Sequence, residues 1–373
     1  MKILFLDTSP IRRGAQVFIT ELSDYLSRNG HETFRLYLYT FDKSAAKLPI
    51  RSQDLELNFE SKSLFEKVPT IQPMLLAQII HHIRVISPDV ILLNGSRTLK
   101  YGTAAKQFLP KNIKWVSRII DNPEFWNSGK FTHWYYKNLI IPQLDATVGV
   151  SKASLNSMIS HYNFTKPSQV IHRAFDPDKF KNAPSREAAR RDLSLGESDE
   201  VLLFLGNLTA QKRPDRFIAI IQKLLETRPN LKALLVGDGD LGAEIRSLIS
   251  SSNPQILFFG YQEDVSPYLA AADLLVLTSD TEGLPGVVLE AGYFGVPTVA
   301  AEVGGIRECL IDGETGILIP DRTVERFVGA IDVLLSDPST RQLMGKRAKE
   351  LVLKNFKIEE VAEKYLSFFR ELK

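Results

Sequence analysis

The sequence is poor in cysteine and has no long apolar segment. Its 373 residues include a single cysteine, Cys309, so an internal disulfide is excluded. No histidines and cysteines have the spacing of zinc ligands, and no segment approaches the ~18 consecutive apolar residues of a membrane span. Polar low-complexity segments are also absent, which argues against disorder. The first apolar run begins after Lys2 without a cationic leader, so we expect a cytoplasmic protein.

The composition is that of an ordinary globular protein, but its charge is unevenly divided. Hydrophobic residues make up 44% and charged residues 24% of the chain, whose length suits two domains. The formal net charge of +2 hides a net charge of +9 for residues 1–175 and of −7 for residues 176–373. A basic N-terminal half fits peripheral contact with an anionic membrane or a lipid phosphate, and an evenly solvated surface is the alternative. Nucleic acid is not expected, because no nucleic-acid-binding motif accompanies the dispersed basic residues.

Short apolar runs with strand character alternate with segments of helical periodicity along the chain. In the first half, strands are predicted at Ile3–Asp7, Thr33–Tyr39, Val90–Leu93, Trp115–Ile120 and Ala146–Val150. In the second half, strands are predicted at Val201–Leu205, Ala233–Val236, Ile256–Phe259, Leu274–Leu277, Thr298–Ala300 and Gly316–Ile319. This alternation predicts an α/β protein with two doubly wound, Rossmann-like domains that bind ligands beyond the carboxyl ends of their strands, in a cleft between them.

The turn-rich segment Phe175–Pro184 indicates the domain boundary. We assign residues 1–176 to an N-terminal domain, residues 183–352 to a C-terminal domain and residues 353–373 to a terminal helix. The apolar face of that helix consists of Val361, Tyr365, Phe368 and Phe369. Another element must cover this face, and packing on its own domain is the simplest arrangement.

Two glutamates, Glu282 and Glu290, flank a glycine-proline turn behind the predicted strand Leu274–Leu277. Val287–Ala291 predicts the opening of a helix, with Pro285 at the first helical position. Free amides then face the positive end of a helix dipole, where a diphosphate can bind with few basic side chains. These amides belong to Gly283, Leu284, Gly286 and Val287. Carboxylates accept hydrogen bonds from vicinal hydroxyls, so the two glutamates are candidates to bind a sugar and a ribose. The alternative is that they are surface residues that stabilise the positive end of the helix dipole.

A second loop follows the predicted strand Val201–Leu205 and contains Asn207, Lys212 and Arg213. Lys212 is the candidate phosphate clamp, because an ammonium at the end of this strand would offset the charge that builds on a departing diphosphate. The alternative is a solvated lysine at the start of a helix.

These motifs resemble those of the retaining glycosyltransferases of family 4, which have the GT-B fold. The pair Glu282 and Glu290 is similar to the Glu-x7-Glu motif of that family, and residues 206–212 are similar to its Gly-Arg-Leu-x3-Lys motif. Asn207 replaces the arginine of the motif, and Arg213 is a candidate to supply the missing charge. The resemblance also implies that the terminal helix, residues 353–373, crosses back to the N-terminal domain.

Three further loops resemble parts of the same family. Gly237, in a Val-Gly-Asp-Gly sequence, corresponds to a loop near the nucleotide, and Tyr261 is placed to border the base or to pack in the ordinary way. Residues 304–308 resemble a Gly-Gly-x2-Glu segment that we expect to set loop geometry. Gly14 lies in a loop similar to the family's Gly-Gly-Ala-Glu, where a glycine lets the backbone approach a ligand. Its neighbours Arg12 and Arg13 are candidates to contact the acceptor or the donor diphosphate, and a plain turn is the alternative.

Many family members have a cleft histidine that this sequence lacks at the corresponding place. The nearest polar candidates are Asp121 and Arg118, which we assign to acceptor binding. Two aromatic segments follow, Phe125–Trp126 and His133–Tyr136. Their side chains could form a platform for the acceptor or a patch that faces a membrane, and packing in the core is the alternative.

The resemblance implies a front-face displacement, in which an acceptor hydroxyl attacks the anomeric carbon from the side that the diphosphate leaves. Lys212 and Glu282 are then the catalytic candidates, and Glu290 holds the ribose. We expect a UDP- or GDP-sugar donor, a glycan, glycolipid or small-molecule acceptor, and no cofactor or metal. The alternatives are a catalytically weak sugar-nucleotide-binding protein and a nucleotide-sugar epimerase of the same fold. A dehydrogenase is disfavoured, because the first strand is not followed by Gly-x-Gly-x-x-Gly.

Overall fold

The computed structural model describes residues 1–40, 47–60, 71–126, 129–249 and 254–372. The chain forms two compact units. The first contains Met1–Ala174 and Ile358–Lys373, and the second contains Phe175–Lys357. The chain therefore leaves the first unit at the start of the turn-rich segment and returns to it before the last helix.

The first unit is built on a parallel sheet of seven strands. These are β1 (Lys2–Asp7), β2 (Glu32–Tyr39), β3 (Leu55–Phe59), β4 (Val90–Asn94), β5 (Lys114–Ile119), β6 (Ala146–Gly149) and β7 (Ser168–Val170). Their order is β3-β2-β1-β4-β5-β6-β7. The helices described between them are α1 (Gly14–Arg28), α2 (Pro73–Ile86), α3 (Ser96–Lys106), α4 (Lys130–Tyr135) and α5 (Lys152–Tyr162).

The second unit is built on a parallel sheet of six strands. These are β8 (Glu200–Leu205), β9 (Leu231–Val236), β10 (Ile256–Gly260), β11 (Leu274–Leu277), β12 (Thr298–Ala301) and β13 (Gly316–Ile319), in the order β10-β9-β8-β11-β12-β13. Its described helices are α6 (Arg186–Asp192), α7 (Pro214–Leu225), α8 (Gly242–Leu248), α9 (Ser266–Ala271), α10 (Gly286–Tyr293), α11 (Val324–Ser336) and α12 (Pro338–Asn355).

The strand order reverses beside the first strand of each sheet, between β1 and β4 in the first unit and between β8 and β11 in the second. Loops that follow these strands leave in opposite directions and open a crevice at the carboxyl edge of the sheet. The crevice of the second unit is bordered by the two loops that carry Lys212 and Glu282. Topology therefore brings together residues 70 positions apart.

The last helix, α13 (Ile358–Glu371), belongs to the first unit. Its apolar face packs against α1, where the ring centroids of Tyr365 and Phe18 lie 6.1 Å apart. Tyr365 and Phe369 are fully buried. The helix is thus part of the hydrophobic core of the first unit.

The predicted fold class, two doubly wound Rossmann-like domains, is confirmed, and all eleven predicted strands are present. The sequence did not predict β3 and β7. Both lie at an edge of the first sheet, and β7 has only three residues, two of them exposed. Edge strands bury less apolar surface, so their sequences carry a weaker pattern. Within the described ranges, no helix is long and apolar enough to span a membrane.

Candidate functional site

The loops that follow β8 and β11 are held side by side by hydrogen bonds. The hydroxyl of Thr278 donates to the carbonyl oxygen of Lys212 at 2.9 Å. The amide of Asp280 donates to the carbonyl oxygen of Gln211 at 2.8 Å. These bonds fix the position of the Lys212 backbone relative to the loop that carries the first glutamate.

Lys212 and Glu282, predicted on separate motifs, contact each other directly. Nζ of Lys212 lies 2.6 Å from Oε1 of Glu282, and the hydroxyl of Ser279 donates to the same oxygen at 2.6 Å. The Glu282 side chain is 6% exposed and that of Lys212 is 24% exposed. Among the described residues, no donor contacts Oε2 of Glu282. One carboxylate oxygen is therefore engaged by the protein, and the other is able to accept a hydrogen bond from a ligand.

The turn after Glu282 leads into α10 with unpartnered amides. In the described part of the chain, no protein acceptor contacts the backbone amides of Gly283, Leu284, Gly286 and Val287. Pro285 is the N-cap residue, with extended backbone angles of −73° and 116°, and the helix begins at Gly286. The prediction that Pro285 occupies the first helical position was therefore wrong by one residue. Two of the amides still belong to the first turn, where the helix dipole is positive.

Arg213 forms ion pairs with two neighbouring carboxylates. Its guanidinium contacts Asp215 at 2.7 Å and Asp280 at 3.3 Å, and Arg216 contacts Asp280 at 2.9 Å. The hydrogen bonds with Asp215 raise the pKa of Arg213. Burial alone would raise the pKa of Asp280, but the hydrogen bonds that it accepts from Arg216 and Arg213 lower it below its ordinary value. Arg213 therefore braces the two loops, and its charge is balanced within the protein.

Glu290 lies on α10 and pairs with a lysine that the sequence did not single out. Nζ of Lys179 lies 3.1 Å from Oε1 of Glu290, and the glutamate side chain is 14% exposed. The two residues are 111 positions apart, so no local pattern predicts the pair. A ribose bound by Glu290 would share the carboxylate with Lys179 or displace it.

Two glycines of the predicted motifs lie against backbone atoms of the neighbouring loop. A Cβ at Gly304 would lie 1.7 Å from the carbonyl oxygen of Glu282, and one at Gly237 would lie 1.9 Å from that of Gly206. Both glycines have positive φ, 56° and 138°, which other residues rarely adopt. Gly304 thus shapes the loop that carries Glu282, and Gly237 allows the turns after β8 and β9 to pack together.

Asn207 and Tyr261 are exposed at the carboxyl edge of the second sheet. Asn207 follows Gly206 at the end of β8, and Tyr261 follows β10. Both are accessible to a ligand. In the described ranges, no group of three or more His, Cys, Asp and Glu side chains could hold a metal ion.

In the first unit, the predicted ligand loop leads into α1. Gly14 is the first residue of that helix, and Arg13 is its N-cap residue, which makes no capping hydrogen bond with its side chain. Arg13 is exposed and Arg12 is half-buried. Both arginines therefore stand at the positive end of the α1 dipole.

Arg118 is a buried residue of β5, which corrects its assignment to acceptor binding. It is 2% exposed, donates to Asn94 at 2.9 Å and to the Tyr365 hydroxyl at 3.3 Å, and stacks on Phe18. Helices cover both faces of a parallel sheet, so a strand residue points into the interior whichever face it lies on. Asp121, beyond the end of the strand, is exposed and accepts a hydrogen bond from the Trp126 indole.

Asp7, at the end of β1, is the carboxylate of this buried network. Gln16 and Asn94 donate to its two oxygens at 2.9 Å and 2.6 Å, and the Thr8 amide donates at 2.7 Å. Burial raises the pKa of Asp7 to about 6 in spite of these hydrogen bonds. No sequence motif singles out this residue, because an aspartate that ends a strand has no pattern of its own.

The predicted aromatic cluster divides into exposed and buried members. Trp134 is 52% exposed and stacks on Phe131, which is 65% exposed, with ring centroids 6.1 Å apart. Tyr136 is buried in the core of the first unit. The side chain of Phe125 lies outside the described part of the structure. Core packing therefore accounts for Tyr136, whereas Phe131 and Trp134 form an exposed aromatic pair.

Two family models match the two units. Residues 12–179 match the model described as Glycosyltransferase Family 4, and residues 185–351 match the model described as Glycosyl transferases group 1. Together the matches extend over nearly the whole chain. The chain belongs to the family 4 glycosyltransferases, which confirms the resemblance stated from its motifs.

The sequence matches with curated relatives cover little more than half of this chain. It is 28% identical over 234 residues to the N-acetyl-alpha-D-glucosaminyl L-malate synthase of Bacillus anthracis, a match that covers 62% of this chain and 61% of that protein. It is 30% identical over 232 residues to the D-inositol 3-phosphate glycosyltransferase of Kineococcus radiotolerans, covering 56% of this chain and 53% of that protein. The matches thus span less than two thirds of each relative.

Solved structures of the same fold cover the whole chain. The crystal structure of Anabaena HepE in complex with UDP and glucose has a TM-score of 0.81 at 21% identity and covers 98% of both chains. Sucrose-phosphate synthase from Thermosynechococcus elongatus has a TM-score of 0.83 at 19% identity and covers 100% of this chain and 99% of that one. The predicted GT-B fold is confirmed.

Proposed function

We propose that this protein is a retaining glycosyltransferase, which moves a sugar from a nucleoside-diphosphate sugar to a hydroxyl of an acceptor. The observation that carries the proposal is the contact between Lys212 and Glu282 at 2.6 Å, next to the unpartnered amides at the start of α10. The loops of one unit thus combine a cation, a carboxylate with one available oxygen and free backbone donors.

The diphosphate would bind to the amides around Gly283–Val287 and to Lys212. A lysine ammonium has three N–H donors, so Lys212 can keep its bond to Glu282 and still donate to a phosphate oxygen. Its charge, together with the helix dipole, stabilises the leaving diphosphate more than the bound donor, because negative charge grows there in the transition state.

The two glutamates would hold the two sugars on either side of the diphosphate. Oε2 of Glu282 would accept a hydrogen bond from a hydroxyl of the transferred sugar, while Ser279 and Lys212 fix the carboxylate through Oε1. Glu290 would accept hydrogen bonds from the ribose hydroxyls, with Lys179 keeping the carboxylate in place until the nucleotide binds.

The reaction would be a front-face displacement. The acceptor oxygen bonds to the anomeric carbon on the face from which the diphosphate departs, the bond between that carbon and the phosphate oxygen breaks, and the departing phosphate takes the proton of the acceptor hydroxyl. No protein nucleophile, cofactor or metal takes part in this scheme.

The donor would be a UDP- or GDP-sugar, and the acceptor a glycan, a glycolipid or a small molecule. UDP is the first candidate, because the fold neighbour from Anabaena carries UDP and glucose. Small hydroxylated acceptors are supported by the names of the two relatives, which specify L-malate and D-inositol 3-phosphate.

The first experiment measures thermal stabilisation of the full-length protein by UDP, GDP, ADP, dTDP and CMP. A ligand that binds only the folded state adds roughly 2.7 kcal/mol at a hundred times its Kd. We expect one diphosphate to raise the melting temperature, and its sugars are then tested for transfer. A protein that binds none of these nucleotides, and transfers sugar from none, would contradict the proposal.

The stereochemistry is tested separately. With an α-linked donor sugar, proton NMR of the transfer product should show an α-glycosidic linkage. A β-linked product would exclude front-face displacement while leaving the sugar-transfer activity in place.

A second candidate is a sugar-nucleotide-binding protein of low turnover. It is favoured by Asn207, which is exposed where the family motif has an arginine, and by Arg213, whose charge is already balanced by Asp215 and Asp280. The substitution Asn207→Arg distinguishes the candidates. If transfer rises by about tenfold or more, the wild-type protein is limited by the missing cation; if transfer is unchanged at a normal rate, the second candidate is excluded.

We also propose peripheral contact of the first unit with an anionic membrane. Phe131 and Trp134 are exposed together on α4, where Lys130 supplies positive charge. Cosedimentation with phosphatidylglycerol vesicles should be lost in F131S/W134S and kept in L343S, which removes an exposed leucine of the second unit. Equal binding of all three proteins would contradict the contact.

A further inference from the structure

Arg173 is a buried cation without a hydrogen-bond or ion-pair partner among the described residues. It follows β7 in the first unit and is 9% exposed. Its Nε has no hydrogen-bond partner, and Arg173 forms no hydrogen bond or ion pair with another described residue. A buried charge is normally paired, because removing an isolated charge from water costs more than burial returns. The missing counterion therefore indicates a ligand.

The guanidinium of Arg173 faces the start of α1. A Cβ added to Gly14 would lie 3.3 Å from Nη1 of Arg173, so the glycine leaves room beside the cation. The first turn of this 15-residue helix contains no acidic residue. In the described structure, no protein acceptor contacts the amides of Gly14, Ala15 and Gln16. Free amides, a helix dipole and a buried guanidinium thus meet at one place.

The surrounding charges do not neutralise Arg173. The nearby Arg118 is also buried and is bonded to Asn94 and Tyr365, which are uncharged partners. The one carboxylate of this network, Asp7, accepts its hydrogen bonds from Gln16, Asn94 and Thr8. Among the residues that the structure describes, this buried network therefore holds the guanidinium groups of Arg118 and Arg173 and the carboxylate of Asp7.

We propose that Arg173 and the first turn of α1 form a binding site for an oxyanion, the phosphate or carboxylate group of a ligand. The guanidinium presents a planar fork that matches both groups, and the amides of α1 complete the site. The site itself stands on the geometry of the first unit. Its two possible sources, the diphosphate of the donor and an anionic acceptor, rest on the proposed function.

The test uses the full-length protein and compares wild type with R173Q and with R97Q, which removes an exposed arginine of the same unit. Binding of inorganic phosphate is measured by thermal shift and isothermal titration. The Kd for phosphate should rise about 10- to 100-fold in R173Q, the loss expected for a hydrogen bond to a charged group, and stay unchanged in R97Q. Because Lys212 is itself proposed to bind a phosphate, the titration is repeated in the K212Q background, where adding R173Q should still raise the Kd for phosphate about 10- to 100-fold.

A parallel titration with UDP identifies the source of the oxyanion. A Kd for UDP that rises together with that for phosphate in R173Q assigns the site to the donor diphosphate. A loss of phosphate binding with unchanged UDP binding assigns it to an anionic group of the acceptor. Both results support the site, and neither depends on sugar transfer being observed.

The stability of the variants separates a binding role from a structural one. Without ligand, R173Q should melt no lower than wild type, because it removes an unpaired buried charge. R173K keeps the charge but not the fork, so it should bind phosphate with intermediate affinity. The proposal is overturned if R173Q binds phosphate and UDP as wild type does, or if it loses stability without ligand, which would show an internal partner for Arg173.

Discussion

Gly304 lies so close to the backbone of Glu282 that a Cβ at position 304 would come within 1.7 Å of the Glu282 carbonyl oxygen. The amide of the next residue, Gly305, donates to the same oxygen at 3.4 Å. The segment after β12 thus supports the backbone of the glutamate whose side chain contacts Lys212. Changing this contact should therefore move the Glu282 carboxylate relative to Lys212.

We expect Gly304→Ala to displace the Glu282 loop, because the clash is with backbone and the residue has a φ of +56°. The protein should lose about 1–3 kcal/mol of stability and most of its transferase activity. Initial rates and melting curves measure both effects. The control is Gly329→Ala, an exposed helix position with open space, which should add about 0.5–1 kcal/mol and leave activity unchanged. Wild-type activity in the first variant would show that the loop position is not needed.

Lys212→Gln removes the cation but keeps a donor for Oε1 of Glu282. We expect kcat/KM to fall by about 10²- to 10³-fold, the usual cost of losing one group that stabilises transition-state charge. The matched control is Lys223→Gln, an exposed lysine on the adjoining helix α7. Steady-state kinetics with the donor identified by the nucleotide panel measure the effect, and equal rates for the two variants would remove Lys212 from the mechanism.

Glu282→Ala should lower kcat by more than it raises the Kd of the nucleoside diphosphate. The reason is that Oε2 is the available oxygen and is proposed to contact the sugar, which the free diphosphate lacks. Nucleotide titration and turnover of the same preparation give both values. A variant that loses nucleotide affinity and turnover in equal measure would place the glutamate at the nucleotide.

Glu290→Gln should weaken nucleotide binding by about tenfold, since one charged hydrogen-bond acceptor is lost. Lys179→Gln removes the partner that lies 3.1 Å from Glu290 without touching the carboxylate, so it should leave the Kd unchanged or lower it. Isothermal titration of the two variants with UDP or the identified nucleotide compares them. Equal weakening by both would show that the ion pair itself, and not the carboxylate, supports binding.

Asp7 should make stability depend on pH between about 4 and 6. Burial raises its pKa from 3.8 to about 6, so the folded state retains a proton that the unfolded state has released. The contribution of Asp7 is complete below pH 3.8 and is lost as the pH rises through about 6, by roughly 3 kcal/mol in total. Unfolding of wild type and D7N in denaturant at several pH values gives the difference. A difference that is constant with pH would show that Asp7 titrates normally.

The sequence predicted the elements of the fold better than the contacts between them. Apolar runs marked every central strand, because strands covered on both faces must be apolar throughout. Lys212 and Glu282 were assigned to separate motifs, and their contact arises from the adjacency of β8 and β11, which local periodicity does not specify.

The sequence could not predict the direction of individual side chains or the pairing of residues far apart in the chain. Arg118 was predicted near the acceptor because it is the cation nearest to the place where many family members have a cleft histidine, whereas its side chain contacts Asn94 and Tyr365. The contacts of Ser279 and Lys179 could not be predicted, because a serine after a strand and a lysine in a turn-rich segment are common in any protein. Only the folded chain shows that each contacts a carboxylate of the predicted motif.

The placement of α13 in the first unit has a consequence for synthesis of the chain. Arg118 and Tyr365 are in contact although 247 residues separate them. During translation, the sheet of the first unit emerges long before the helix that covers Phe18 and Arg118. The second unit, whose residues lie between, has time to fold while this apolar surface is still uncovered, so the first unit completes its hydrophobic core only after α13 has emerged from the ribosome.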